Sequence, residues 1–261
     1  MHGLRMGALP PATPGVRAAT REVLLSFDDG PDLFGTPLVL DELDRRGLKA
    51  IFFVQGRHLL GSRPQNLARR DLLRKVAAHG HLVANHTLSH KNLCQHPETM
   101  PAEVDTNSEV IAYATGLRPL LFRAPYGVRC RSLDRALAAR DLIQIGWNLD
   151  PQEWKCEDQD AVYTYVTQSL AKLQGRAILL LHDTHPAAVR ALPRILNWID
   201  AENRRVRNEG GAPIRIVDYS VFLPHHPVPR IGLEPLFGRV AAAVSLLPGA
   251  SVTRARFGLL Q

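Results

Sequence analysis

Short apolar runs recur along the chain at residues 23–27, 50–54, 81–84, 120–122, 142–147, 177–181 and 214–217, each followed by polar, Gly or Pro residues. Runs of this length bounded by turn residues read as strands. Between them the apolar positions fall at helical spacing: Leu38, Val39 and Leu43 within 36–46, Leu72, Leu73 and Val76 within 71–78, and similar patterns over 102–115, 132–139, 161–173 and 188–203. Gly47, Gly80, Gly116 and Gly175 stand where four of those helices would end, the place at which a left-handed residue closes a helix. Strands alternating with helices predict βαβ units and a parallel sheet. The seven runs all lie within 21–223, which suits one α/β barrel, closed or incomplete, better than two small domains.

A parallel barrel carries its chemistry at the C-terminal ends of its strands. The residues found there are Asp28 and Asp29 after the first run, His86 and His90 after the third, Arg123 to Tyr126 after the fourth, Asp150 to Trp154 after the fifth, and His182 and Asp183 after the sixth. Adjacent side chains at a strand end point in different directions, so Asp28 and Asp29 can take different jobs, one on a metal and one on a proton. Taken alone, Asp28-Asp29-Gly30-Pro31 is more often a surface turn. A pair of histidines four apart is likewise often incidental in a chain with 11 of them. Two imidazoles and a carboxylate, with a position left for water, are nevertheless the donor set of a catalytic zinc site.

The pieces also occur in a set order. Ser26-Phe27-Asp28-Asp29-Gly30-Pro31, His86-Thr87-Leu88-Ser89-His90, Arg123-Ala124-Pro125-Tyr126-Gly127, Asp150-Pro151-Gln152-Glu153-Trp154 and Leu179-Leu180-Leu181-His182 resemble the five motifs of the polysaccharide deacetylase family, the NodB-homology domain of carbohydrate esterase family 4. The resemblance implies a distorted (β/α)7 barrel, parallel throughout, with its site at the C-terminal strand ends. It implies one divalent metal, zinc first and cobalt or nickel as alternatives, and hydrolysis of the N-acetyl group of a hexosamine unit in a polysaccharide, oligosaccharide or glycan precursor. Asp29, His86 and His90 match the metal ligands, Asp28 the catalytic base, His182 the catalytic acid and Arg123 the residue that holds the base. Pro125 and Tyr126 match the groove wall, with the Tyr126 backbone N–H facing the oxyanion, and Trp154 and Leu180 match the walls of the acetyl pocket. One position departs: the fourth motif usually ends Asp-Trp, and Glu153 here extends the acid that supports the catalytic histidine or arginine by one methylene. An amidohydrolase-like relative acting on a small amide or cyclic ureide would replace the second or fifth motif. A non-catalytic glycan-binding module would lack Asp28 or His182, and neither change is present.

Composition adds limits. Apolar residues at 45% and charged residues at 22% describe a globular chain. The 32 basic against 25 acidic residues give +7, but the excess is scattered arginine without long blocks. That scatter argues against nucleic acid; the resemblance makes a carbohydrate the expected partner, and the positive surplus would suit an anionic glycan. Three cysteines, Cys94, Cys130 and Cys156, are an odd number without a Cys-x-x-Cys pair, so free or buried thiols are expected rather than a disulfide or a thiolate zinc site. Residues 1–20 read as a flexible lead-in, 21–223 as the barrel, and 224–261 as an extension packing on it. Membrane-surface contact by that extension is the less favoured reading, resting on Arg239, Arg254 and Arg256 beside apolar residues. No secretory signal is recognisable, so the expected location is cytoplasmic as the sequence is written, or outside the cell if the N-terminus is not the original one.

Overall fold

The computed structural model describes residues 20–222, and all seven expected strands form within them. In chain order they are β1 (Arg21–Asp28), β2 (Ala50–Val54), β3 (Leu82–Asn85), β4 (Leu121–Phe122), β5 (Ile143–Gln144), β6 (Gly175–His182) and β7 (Ile214–Ile216). The helices between them are α1 (Gly35–Arg45), α2 (Pro64–Ala78), α3 (Asn107–Thr115), α4 (Arg131–Ala138), α5 (Gln159–Ala171) and α6 (Pro186–Asn208). The expected lead-in and C-terminal extension lie outside the described residues.

Every pairing is parallel, in the order β5-β4-β3-β2-β1-β6, with β7 joining β1. β6 pairs with the whole of β1, whereas β2 pairs with residues 25–28 and β7 with residues 21–23 of it. The gap between β5 and β6 is spanned by a lone bridge from Leu149 to Leu179. That single bridge, with two-residue strands at β4 and β5, is what makes the barrel distorted.

The period-two alternation of β-strands sorts the core. Leu25 and Phe27 of β1 and Leu179 and Leu181 of β6 face the helices, packing with Val39, Leu43, Leu73, Leu192 and Ile195. Leu24, Ile51, Phe53, Ala84, Leu121 and Ile178 fill the inside. A third cluster, Leu93, Met100, Val104, Phe122, Leu133 and Leu137, lies under the loops that follow β3 and β4.

Two helices differ from the periodicity. α2 begins at Pro64 rather than at 71, because its first turns are polar and exposed and Pro suits the first helical position. The expected helix over 102–115 is a π-helical turn, Pro101–Thr106, followed by α3. Such turns are frequent at functional sites.

The cysteine expectation is corrected. Cys94 and Cys130 form a disulfide, with Cα atoms 5.9 Å apart, and Cys156 is the free, exposed thiol. Counting parity failed because an odd set can hold one pair and one thiol. The two partners are 36 residues apart in sequence and meet only because the loops after β3 and β4 are neighbours.

Candidate active site

Strand register brings the motifs to one level. Asp28 pairs with His182 on one side and Phe53 on the other, Val54 with Asn85, and Asn85 with Phe122. One residue further, the backbone N–H groups of Asp29, His86 and Arg123 donate to Phe53, Val54 and Asn85 carbonyls. The polar residues after the strands thus form one layer across the barrel mouth.

Within that layer, one donor atom from each of Asp29, His86 and His90 lies within 4.8 Å of the others. Asp29 Oδ1 is 3.4 Å from His86 Nε2 and 3.5 Å from His90 Nε2. His86 Nδ1 donates to the Arg123 carbonyl at 2.8 Å, which fixes the ring with Nε2 turned toward Asp29. Burial alone would raise the Asp29 pKa. The hydrogen bond to His86 and the nearby His86, His90 and His182 rings outweigh burial and hold the carboxyl well below the usual range. Burial lowers the pKa of His90. A carboxylate and two imidazoles at this spacing fit a divalent cation.

Asp28 and His182, register partners on neighbouring strands, both border this set. Asp28 Oδ2 is 3.7 Å from His86 Nε2, while its Oδ1 accepts from Arg123 Nη1 at 2.7 Å. Arg123 is wholly buried and also donates to Ser26 Oγ and the Ile145 and Gly146 carbonyls. Its guanidinium lies 3.9 Å from the Phe53 ring centroid. His182 Nε2 is 3.9 Å from Asp29 Oδ2, and its Nδ1 donates to Glu153 Oε1 at 3.0 Å. Glu153 Oε1 also accepts the His182 backbone N–H at 2.7 Å. The longer acid at this position therefore supports the histidine, not Arg123. Burial works against charging the His182 ring. The Glu153 hydrogen bond and the carboxylates of Asp28, Glu153 and Asp29 overcome it and push the pKa up to about 9.

The groove residues are less uniformly gathered. Tyr126, with φ of 61°, is exposed, and its ring meets His90 edge-on at 4.8 Å between centroids; Pro125 before it is buried. Leu180 is buried on the same face of β6 as His182. Trp154, in contrast, is 51% exposed, with the Lys155 ammonium over its ring. A cleft of about 500 Å³ runs out from His90 and Tyr126 along Ser89, Lys91, Asn92, Gln95 and His96.

Three supporting residues escaped the sequence reading. Gln55 donates its side-chain amide to Asp29 Oδ1 at 2.6 Å, and its own buried Oε1 has no partner. It follows β2 directly, so the strand-end rule was the signal that could have found it. Glu103, delivered by the π-helical turn, accepts from the Ser89 backbone N–H at 2.8 Å and from its hydroxyl, fixing the residue before His90. Asn107 donates to Val54, Asn85 and Thr87 oxygens beneath the same loop. Nothing in the local pattern singles out the last two. Gly30 is required by space, because a Cβ there would collide with the buried Asp183 carboxylate. Burial pushes that carboxyl up to about 7 despite its hydrogen bond from Thr36.

Comparison with known proteins points to one family. The family model described as polysaccharide deacetylase matches residues 15–142. A chitooligosaccharide deacetylase of Bradyrhizobium sp. is 37% identical over 176 residues, 65% of this chain and 74% of the relative. A peptidoglycan-N-acetylglucosamine deacetylase of Bacillus cereus is 29% identical over 189 residues, 70% of this chain and 65% of that one. The solved structure of a family 4 carbohydrate esterase from Streptomyces lividans, in complex with acetate, superposes with a TM-score of 0.60 at 32% identity, covering 71% of this chain and 91% of that chain. A family 4 pseudoenzyme from Bacillus anthracis matches the fold at TM-score 0.61 and 19% identity, covering 71% of this chain and 63% of that one. Fold alone therefore does not decide activity, and the residues at the strand ends must.

Proposed function

The chain belongs to the polysaccharide deacetylase family, and from that membership we propose that it hydrolyses the N-acetyl group of N-acetylhexosamine units in a polysaccharide or oligosaccharide. The products are acetate and a sugar with a free amine. The observation that carries this reading is the three-donor cluster of Asp29, His86 and His90 with an acid–base pair, Asp28 and His182, beside it.

A divalent cation held by Asp29, His86 and His90 would supply Lewis acidity, polarising the acetyl oxygen and making water acidic near neutral pH. Zinc is the first expectation for two imidazoles and a carboxylate, and cobalt or nickel would serve in the same donor set. The protein's own groups do the rest. Asp28, with one oxygen held by Arg123 and the other turned to the site, takes the proton of the attacking water. By the family resemblance the Tyr126 backbone N–H would face the developing oxyanion and Leu180 would flank the acetyl methyl, whereas Trp154, exposed beneath Lys155, would have to turn inward to do so. As the C–N bond breaks, His182 gives its Nε2 proton to the departing amine, and Glu153 holds the ring by its other nitrogen. Without that proton the amine is a very poor leaving group.

The deciding experiment measures acetate released from acetylated chito-oligomers, peptidoglycan and a soluble exopolysaccharide, with and without a chelator and with zinc, cobalt or nickel restored. Release from at least one substrate, abolished by the chelator and recovered with metal, is the expected result. Absence of metal-dependent release from all of them overturns the proposal.

A second prediction concerns the acid. His182 has its pKa raised from 6.5 to about 9, so its proton is present at neutral pH and lost as pH rises through about 9. The alkaline limb of kcat/KM should fall there. Glu153→Gln keeps an acceptor oxygen but removes the charge, so the limb should move down toward neutrality. A profile unmoved by that substitution would mean that Glu153 does not set the acid.

A further inference from the structure

The Cys94–Cys130 disulfide closes the loops that carry His90 and Tyr126 and has no part in the proposed chemistry. Cys94 lies four residues after His90, and Cys130 four residues after Tyr126. His90 and Tyr126 touch, and both have φ of 61°. Non-glycine residues keep that conformation only where the surroundings over-determine it.

For His90 the constraint on the N-terminal side is Glu103, acting through Ser89. On the C-terminal side Asn92 Oδ1 accepts the Cys94 and Gln95 N–H groups, and the disulfide follows at once. For Tyr126, the segment after it is held by Gln144, which donates to the Val128 carbonyl, and then by the same disulfide. Beyond the short β3–β4 pairing, the two loops are joined by the His86 bond to the Arg123 carbonyl, the His90–Tyr126 ring contact and the apolar packing beneath, and the disulfide is the covalent link among them. Below the disulfide, Leu93, Phe122, Leu133 and Leu137 pack together. That cluster is expected to keep the fold when the bond is cut, while the loops above it gain freedom.

Resting on the deacetylase reading, we propose that Cys94 and Cys130 are positioning residues of this site: their disulfide holds the metal ligand His90 and the groove wall Tyr126 in register. The enzyme then works where that bond persists, in an oxidising compartment, and its substrate is a glycan outside the reducing cytosol. The bond forms as two thiols lose two electrons and two protons to a disulfide-exchange oxidant, itself reduced to a dithiol. A phosphine reverses it in the tube: it takes oxygen from water and becomes a phosphine oxide, and the two sulfurs receive two electrons and two protons.

The test uses the full chain. Thiols alkylated in intact source cells should number one per molecule, Cys156, and three after phosphine treatment. Zinc affinity is measured against a chromophoric chelator on the Cys94→Ala/Cys130→Ala variant, because reduced thiols would themselves bind zinc. We expect a Kd about tenfold weaker than that of the oxidised chain, the size seen when support of a metal ligand is lost. Phosphine-reduced enzyme should show a KM for an acetylated chito-oligomer raised more than kcat is lowered, and reoxidation should restore both. Three reactive thiols in intact cells, or unchanged zinc affinity and KM, would overturn the proposal. If the double variant does not fold, reduction and reoxidation of the native chain still decide. A zinc shift without acetate release from any form would sink the deacetylase reading and leave the clamp standing.

Discussion

Asp28→Asn should lower kcat for an acetylated chito-oligomer by roughly 10³-fold, within the range that general-base catalysis contributes, and leave bound metal in place. The three donors Asp29, His86 and His90 are untouched by the change. The replacing amide still offers Arg123 an oxygen at the position of Oδ1, and Arg123 keeps Ser26, Ile145 and Gly146 as acceptors. The variant should therefore fold, bind metal and fail at proton removal. His86→Ala makes the contrast, because it removes a donor and should lose metal and turnover together. Metal content and single-turnover acetate release on the two variants separate the roles. If Asp28→Asn turns over within tenfold of the native chain, the base lies elsewhere.

The fold was largely legible because strand ends and helix caps are local signals. The runs at 50–54 and 214–217 and the cap glycines are visible without any tertiary knowledge, and Gly47, Gly80, Gly116 and Gly175 all have positive φ. The residues proposed as ligands and acid–base pair were legible because each ends a strand, directly follows one or sits in the loop beyond it. What stayed hidden depends on distance through space. Glu103 reaches Ser89 from a π-helical turn that no apolar period announces. The Cys94–Cys130 bond depends on two loops meeting. Glu153 lies between these cases. Its position was evident from the motif, but whether the longer side chain would meet His182 or Arg123 needed the geometry, and it meets His182 by both ring and backbone.

Arg123→Met should separate stability from chemistry. Arg123 is wholly buried, with four hydrogen-bond acceptors around it, and its partner Asp28 is only 2% exposed. Truncating one member of such a pair leaves the other charge buried and unpaired, which costs about 3–5 kcal/mol. In a chain of this size that lowers Tm by roughly 10 °C. Turnover should fall with it, since the base loses the group that aims it. The informative measurement is the double variant Asp28→Leu/Arg123→Met. Apolar groups in place of both charges should recover the part of the lost Tm that comes from the unpaired Asp28 charge, while the Ile145 and Gly146 carbonyls remain without the donor Arg123 supplied. Activity should not return. That outcome would mean the pair is kept for the proton transfer and not for the fold. If Arg123→Met instead melts within a degree or two of the native chain and still turns over, neither the buried pair nor the aim of Asp28 has the importance argued for it.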